Sequence, residues 1–458
     1  MIRDVLVVGA GISGLAAAWK LQKAGLNVLA VEAASRPGGN LATEKHEACL
    51  LELGPHSIMS YSDAVWELVD ELGLSDRVVA ARPAANARYI WRDGALRPLP
   101  TSIGSFISSG VLSFSGKLRL MLEPFIPNGA TEDETAESFF TRRLGPEAVR
   151  WLIGPFVSGV YAGDPARLGA RDAFPRMWAW ENETGSMIFG ARRYMKRKRL
   201  ERAGKPKRQG MYSFDEGLAV LPGKIAENMG RNLRLGEPVI AAEKQGARWL
   251  VRTELADYEC RRLIVASPPQ QAAALFAASN PALSELLDEV ELAPVAVVQL
   301  LVSGEDAAGI PQGFGFLAPR DHGVRTLGVV FPSKFYPNRA PEGRELLMAF
   351  VGGVRDPEAL TLSDAELGEI VLTDLETVLK RRMTPDFNMV RRYAKAIPQL
   401  APGHVERVAK LKGEAERLGG LSFAGNYLTG VGMNDAALSG FEAAESILSA
   451  LRPPAREA

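Results

Sequence analysis

The 458-residue chain reads as an α/β protein. One parallel-sheet domain is split into three stretches, with a mixed α+β domain and a mainly helical domain inserted between them. Three observations predict this. A strand, a glycine turn and a helix open the chain in "DVLVVGAGISGLAAAW". A second glycine turn, "GNYLTGVGMNDAALSG", opens a helix near residue 430. The segments between change from helical spacing to strand alternation and back, with no internal repeat.

The N-terminal pattern is the most specific. Val5–Val8 form an apolar strand run, and Gly9, Gly11 and Gly14 follow in the spacing GxGxxG. Leu15, Ala18 and Leu21 then recur at helical intervals. Gly9 allows a tight turn, Gly11 lets backbone approach a pyrophosphate, and Gly14 lets helix pack on strand. The helix N-terminus offers free N–H groups and a positive dipole to phosphates. "AGLNVLAVEA" gives a second strand ending at Glu32, an acid placed to accept from both ribose hydroxyls and to repel a 2′-phosphate. The context makes this a Rossmann-like, dinucleotide-binding unit.

Residues 1–77, 213–275 and 417–458 compose that domain. In the middle stretch "GLAVLPGKIAENM" predicts a helix, "NLRLGEPVIAAEKQGARWLVRT" alternating strands, and "RRLIVASPP" a strand entering a proline turn. Residues 78–100 and 276–416 predict a substrate-binding domain, with strands at "PVAVVQLLVS" and "ELLMAFVGG" and a helix at "SDAELGEIVLTDLETVLKRR". Residues 101–212 predict a mainly helical domain, for which membrane association is an open expectation. Within it, "FISSGVLSFSGKLRLMLEPF" reads as apolar surface or as core. "ARRYMKRKRLERAGKPKRQG", dense in Lys and Arg, reads as a solvated, mobile loop, with attraction to anionic lipid or an acidic substrate as the sharper alternative. "GVYAG" has two glycines without a strand–turn–helix context and reads as structural. In the C-terminal helix Leu438, Phe441, Ile447 and Leu448 predict an apolar side, and Asn434 or Asp435 a cap.

Bulk properties narrow the chemistry. Lys plus Arg and Asp plus Glu both number 54, so charge points to no nucleic-acid partner. Cys49 and Cys260 form no CxxC, and the four histidines show no metal-ligand spacing. No hydrolase elbow is present. The chain enters a strand without a signal-peptide layout and holds no membrane-spanning apolar run. These features predict a cytoplasmic protein, or one peripheral to a membrane, whose chemistry is carried by a cofactor.

FAD is the cofactor expected. After Glu32 comes "AASRPGGN", where Arg36, Gly38 and Gly39 resemble the R-x-G-G signature of the flavin amine oxidase-like superfamily. "LELGPHS" resembles that superfamily's next flavin-contacting segment. No second dinucleotide fingerprint offers a site for NAD(P)H. Together with "ARYIWRDGALRPLP", "FVSGVYAGDPARLGARDAFPRMW", "GFGFLAP", "RAPEGRELLMAFVGG", "IPQLAPGH" and "GVGMNDAALSG", these stretches make the chain resemble the oxygen-dependent protoporphyrinogen/coproporphyrinogen oxidases over nearly its whole length.

That resemblance implies an FAD-binding domain, a substrate domain and a helical membrane-associating domain. It implies a six-electron oxidation of a porphyrinogen, with dioxygen reduced to peroxide. Cofactor contacts carried over are Gly9, Ala10, Gly11, Ile12, Ser13, Gly14, Glu32, Ala33, Arg36, Gly38, Gly39, Asn40, Gly54, Pro55, His56, Ser57, Val239, Tyr393, Gly425, Val431, Gly432 and Met433. Val239 matches the backbone contact to adenine. Val431–Met433 match the contact to the flavin's pyrimidine end, where a helix N-terminus would stabilise the negative charge of the reduced ring. Arg88 matches the arginine that pairs with a substrate propionate. Leu317, Val330 and Phe350 match apolar positions that line the tetrapyrrole pocket, and each fits plain core equally. The chain departs from the family at Leu400, Ala436 and His56, which touches the details of substrate choice. No general base is assigned.

Protoporphyrinogen is preferred because Arg88 is the one assigned clamp, and a substrate with four propionates calls for a more basic pocket. Coproporphyrinogen III, an amine oxidase or carotenoid desaturase activity, and a non-catalytic tetrapyrrole-binding flavoprotein stay as alternatives. A homodimer is an open expectation. Neither cysteine lies near the C-terminal motif, so covalent flavin attachment there is not expected.

Overall fold

The computed structural model describes residues 2–201, 208–320 and 322–451. Residues 202–207, in the basic segment, lie outside the described residues.

A first seven-stranded sheet runs in the order Leu233–Arg234, Val28–Val31, Arg3–Val8, Asp257–Val265, Arg248–Thr253, Val239–Gln245. Leu421–Phe423 pairs with Asp257–Val265 as well. The sheet therefore takes strands from near both ends of the chain and from its middle. Arg3–Val8 is parallel to both neighbours, and its alternation decides what covers each face. Val5 and Val7 join Leu15 and Phe441, from helices Ile12–Lys23 and Met433–Leu451. Leu6 and Val8 join Phe276, Leu283 and Leu411 of three helices on the other face. A strand buried on both faces reads as the continuous apolar run Val5–Val8.

Helix Met433–Leu451 lies against Ile12–Lys23 through small residues. A Cβ on Gly440 would strike the carbonyl of Ser13. This corrects the predicted apolar side. Phe441 and Ile447 are buried, but Leu438 is 42% exposed, and Ala437, Gly440 and Ala444 make the contact instead. Two helices this close leave no room for a leucine between them.

A second seven-stranded sheet runs Phe387–Pro398, Leu292–Ser303, Arg344–Gly352, Gly328–Val330, Gly315–Leu317, Arg88–Arg92, Ala95–Pro98. Helix Asp364–Leu379 covers one face with Leu367, Val371 and Leu375. Ser363 starts that helix, with its hydroxyl and the Glu366 carboxylate capping each other's amides. The opposite face looks toward the first sheet's glycine segments.

Residues 103–201 are mainly helical, with no named strand among them. Phe139, Phe140, Val157, Tyr161 and Phe174 form their core. A charge cluster sits beside it: Arg143 donates to the Glu123 carboxylate, and both are fully buried. The basic segment is corrected here. Residues up to Glu201 finish helix Met187–Glu201 and form no loop. Arg, Lys, Met and Leu are strong helix formers. Gly190 lets this helix close on Trp180, and Tyr194 carries Arg176 and Arg197 over its ring at 4.7 and 5.9 Å.

Candidate FAD and substrate site

The glycine cradle comes first. Gly9 has φ +100°, where its missing side chain is required, and a Cβ there would lie 3.0 Å from the Ala266 backbone. A Cβ on Gly14 would collide with the Gly9 carbonyl. Gly11 differs from both. It is the N-cap of Ile12–Lys23 with φ −66°, and a Cβ there would meet nothing within 4 Å. The space beside Gly11 is open, as close approach of a pyrophosphate would require. Ala10, Ile12 and Ser13 are buried around it.

The Arg36–Asn40 segment folds over this turn. Gly38 N–H donates to the Ala10 carbonyl at 2.8 Å, and Gly39 lies against Gly11. Glu32 ends its strand with its carboxylate accepting from the Ala10 and Ala34 amides at 2.6 and 2.9 Å. Ala33 is exposed next to it. Residues 234–237 hydrogen-bond back to Glu32 and Ala34 and lead into Val239. A glycine turn, a fixed acid and a following backbone segment thus stand in the order that the pyrophosphate, ribose and adenine of FAD would need. The residues present fit FAD.

Gly54, Pro55, His56 and Ser57 form the next wall, all partly exposed. A Cβ on Gly54 would strike the Asn40 carbonyl, so the two flavin segments touch. A pair absent from the expected residues holds this wall. Glu52 and Arg339 are 3% and 1% exposed and 3.3 Å apart. Glu52 also accepts from Thr43 and from the Leu218 amide, while Arg339 donates to Ser213 at 2.6 Å. Burial pushes the Glu52 carboxyl up, with the Arg339 guanidinium opposing it. The signal was present in the sequence: an acid in the apolar run "CLLEL" needs a partner.

The open face of the second sheet stands over Glu52–Ser57. Gln299 donates to the Glu52 carbonyl at 2.7 Å, and the Tyr393 hydroxyl to the Leu53 carbonyl at 2.9 Å. Strand register puts Arg88, Gly315, Val330, Met348 and Gln299 in one cross-strand row. The next row holds Leu317, Gly328, Phe350, Val297 and Arg391. All share one face with Tyr393, because side chains two apart on a strand point the same way. Arg88, Leu317, Val330 and Phe350 are therefore brought together on the face that meets the flavin segments. Val330 is buried, Leu317 and Phe350 are partly exposed, and Arg88 is exposed. Arg88 lies over the Phe314 ring at 5.0 Å and pairs with no carboxylate among the described residues. The "GVYAG" glycine has a place here: Gly159 lies directly against the Leu317 side chain, joining the helical part to this face.

At the second glycine turn the expected cap falls on Asp435. Asp435 accepts the Gly432 amide at 2.9 Å, and burial raises its carboxyl pKa. Asn434 caps helix Asp63–Glu71 instead, accepting from Ala64 at 3.1 Å. Gly432 thus spends its N–H on an acid of its own helix. Met433, Asn434 and Asp435 provide the amides without intrahelical acceptors at this end. Val431, Gly432 and Met433 are partly exposed, and Gly425 donates its N–H to Ser439 at 2.7 Å.

Among the described residues no group of three or more His, Cys, Asp or Glu side chains could hold a metal ion.

Comparison with known proteins agrees with this geometry. The family model described as "Flavin containing amine oxidoreductase" matches residues 12–448. The chloroplastic protoporphyrinogen oxidase of Nicotiana tabacum is 33% identical over 97% of this chain and 85% of its own length. The coproporphyrinogen III oxidase of Bacillus subtilis is 30% identical over 98% of both. A crystal structure from Exiguobacterium, provisionally described as a protoporphyrinogen oxidase, superposes with TM-score 0.82 at 25% identity, covering 97% of this chain and 98% of that one. The chain belongs to the flavin-containing amine oxidoreductases, within the family of protoporphyrinogen and coproporphyrinogen oxidases, and its cofactor is FAD.

Proposed function

We propose that this chain is an FAD-dependent oxidase that converts protoporphyrinogen IX to protoporphyrin IX with dioxygen as acceptor. The observation that carries it is the shared face: Arg88, Leu317, Val330, Phe350 and Tyr393 stand together over the Glu52–Ser57 segment. A flat tetrapyrrole wants apolar walls with few polar groups. Arg88, always charged and without a carboxylate of its own, would grip a propionate with two parallel hydrogen bonds. Leu317, Phe350 and Val330 would hold the macrocycle and exclude water. Bound FAD would supply the hydride acceptor, with electrons leaving to dioxygen. Aerobic turnover should consume three dioxygen molecules and release three peroxides for each porphyrin formed; full porphyrin yield without dioxygen uptake would remove dioxygen as the acceptor.

Arg88→Ala tests the clamp. KM should rise about 10- to 100-fold, the loss of a hydrogen bond to a charged group. Flavin content should not change. Unchanged steady-state kinetics would take Arg88 out of the site.

Coproporphyrinogen III is the second reading, and one observation favours it. Arg391 shares the row of Leu317 and Phe350, and both Arg36 and Arg391 act on the Tyr393 hydroxyl. These cations would suit further propionates. Initial rates with the two porphyrinogens in parallel decide between the readings.

Peripheral membrane contact is proposed for the helical part. Phe114 and Phe125 are 82% and 80% exposed, with Ile107, Met121, Phe189 and Met195 also exposed. Arg192, Arg193, Lys196 and Arg199 are exposed on the same helix as Phe189 and Met195. Apolar side chains beside cations suit an anionic lipid surface. Among the described residues no helix is long and apolar enough to cross a membrane. The protein should sediment with phosphatidylserine-containing vesicles at low salt and be released by high salt. Failure to bind them, or equal binding by a Phe114→Ser, Phe125→Ser variant, would oppose this surface.

A further inference from the structure

His56 follows "GP" in the flavin-facing wall, and its surroundings define its chemistry. Its ring lies 5.5 Å from that of Phe314, and Arg88 lies 5.0 Å from the same ring. His56 and Arg88 therefore share one aromatic neighbour. Phe314 is itself stacked on buried Phe335 at 5.2 Å, which fixes this geometry.

A hydroxyl chain sets the imidazole. Tyr336 is buried, and its hydroxyl lies 3.0 Å from Ser57 Oγ. Burial raises the Tyr336 pKa, so it keeps its proton and donates it to Ser57. Ser57 Oγ lies 2.9 Å from His56 Nδ1 and has its own proton left to donate. Where Ser57 spends that proton on Nδ1, the ring proton sits on Nε2. Nε2 takes no hydrogen-bond partner among the described residues.

The charges facing His56 are Arg339 and Arg88, with Tyr336 behind Ser57. Burial and these two guanidiniums push its pKa down to about 4, so it is neutral at physiological pH. Arg339 is balanced by Glu52, and Arg88 by no acid among the described residues. This end of the face pairs one uncompensated positive charge with an imidazole whose Nε2 is unpartnered among the described residues, both beside the Phe314 ring.

We propose that His56 is a specificity-determining contact of the substrate: its Nε2–H and the Arg88 guanidinium form a two-point anchor for one carboxylate, and Tyr336 and Ser57 fix the donating tautomer. This rests on the porphyrinogen reading and adds a residue to that site. A carboxylate has two oxygens, and a guanidinium plus an N–H donor would satisfy both without a second cation. Ester substrates would lose the anchor while keeping every apolar contact.

The test compares binding of coproporphyrin III with that of its tetramethyl ester, in detergent, to the flavin-loaded protein, read by quenching of intrinsic fluorescence. His56→Ala should weaken the free acid about 10-fold, the loss of one charge-assisted hydrogen bond. Ester binding should not change. His56→Gln, whose amide N–H reaches a similar point, should recover most of the affinity. Tyr336→Phe, which touches no ligand, should weaken the acid alone and by less. In turnover, His56→Ala should raise KM and leave kcat within about twofold, a uniform-binding effect. Equal loss of acid and ester, no loss in His56→Ala, or a fall in kcat at constant KM would each overturn the anchor. If His56→Ala no longer holds FAD, the acid-to-ester ratio is read on Tyr336→Phe, and an unchanged ratio there overturns it. A wild-type protein that oxidises no porphyrinogen would remove the substrate reading. Equal acid and ester losses in an enzyme that does oxidise porphyrinogen would remove the His56 anchor alone.

Discussion

Gly11→Ala should yield a folded protein that does not retain flavin. Gly11 sits at φ −66°, which alanine adopts without strain, and its Cβ would meet no protein atom within 4 Å. The fold has no use for the missing side chain; the ligand does. A methyl group there would stand between the helix N-terminus and the pyrophosphate, which needs close backbone approach. Breaking two charge-assisted hydrogen bonds to the pyrophosphate, at about 1.5 kcal/mol each, weakens FAD binding ~100-fold. The variant should purify with an unchanged far-ultraviolet spectrum and without visible flavin absorbance. Gly14→Ala is the contrast. Its Cβ would collide with the Gly9 carbonyl, so stability should fall and flavin loss should follow unfolding. If Gly11→Ala keeps its flavin at dilution, the pyrophosphate does not lie over this turn.

Arg339→Met should be among the most damaging substitutions in the chain. It leaves the Glu52 carboxylate buried and without its cation, a loss of about 3–5 kcal/mol. The effect has a sign in pH. Burial raises the folded-state pKa of Glu52 above its unfolded value, and Arg339 opposes that rise. A raised carboxyl gives stability below the unfolded pKa, which is lost as pH rises through the folded one. Removing Arg339 raises the folded value further. Destabilisation should thus be largest at neutral and alkaline pH and shrink toward acid pH, where Glu52 takes a proton. Adding Glu52→Gln should recover part of the loss, because the two residues are coupled. Denaturant unfolding of both variants across pH checks this. A pH-independent loss would mean that Arg339 matters through packing rather than charge.

The fingerprint was legible in the sequence because each glycine answers a local steric demand. Gly9 needs a positive φ, Gly14 a close helix, and Gly11 leaves open space for a ligand to approach. The capped helix Asp364–Leu379 and the strand at Leu292–Ser303 were legible for the same reason: caps and apolar runs are local. The shared face of Arg88, Leu317, Val330 and Phe350 was reached through family resemblance, since it depends on register between strands as far apart as residues 88 and 398. Local pattern does not encode that register. Glu52 and Arg339 escape a local reading because the partners are separated by nearly 290 positions, although one acid in an apolar run was a usable signal. The basic segment reads as a loop when charge density is weighed above helix propensity, yet Arg, Lys, Met and Leu hold a helix well. Asp435 reads as a general cap, and its return to Gly432 shows that the second turn satisfies part of its own dipole. The amides of Met433, Asn434 and Asp435 are left without intrahelical acceptors.

Central to the proposed function is hydride transfer from a porphyrinogen bound on the Arg88 face to the flavin held by the first and second glycine turns. Anaerobic rapid mixing of the flavin-loaded protein with protoporphyrinogen IX, and separately with coproporphyrinogen III, tests it most directly. Visible flavin absorbance should bleach with at least one of them, faster with protoporphyrinogen IX, and return with porphyrin fluorescence when air is admitted. A flavin that stays oxidised with both porphyrinogens would contradict this transfer.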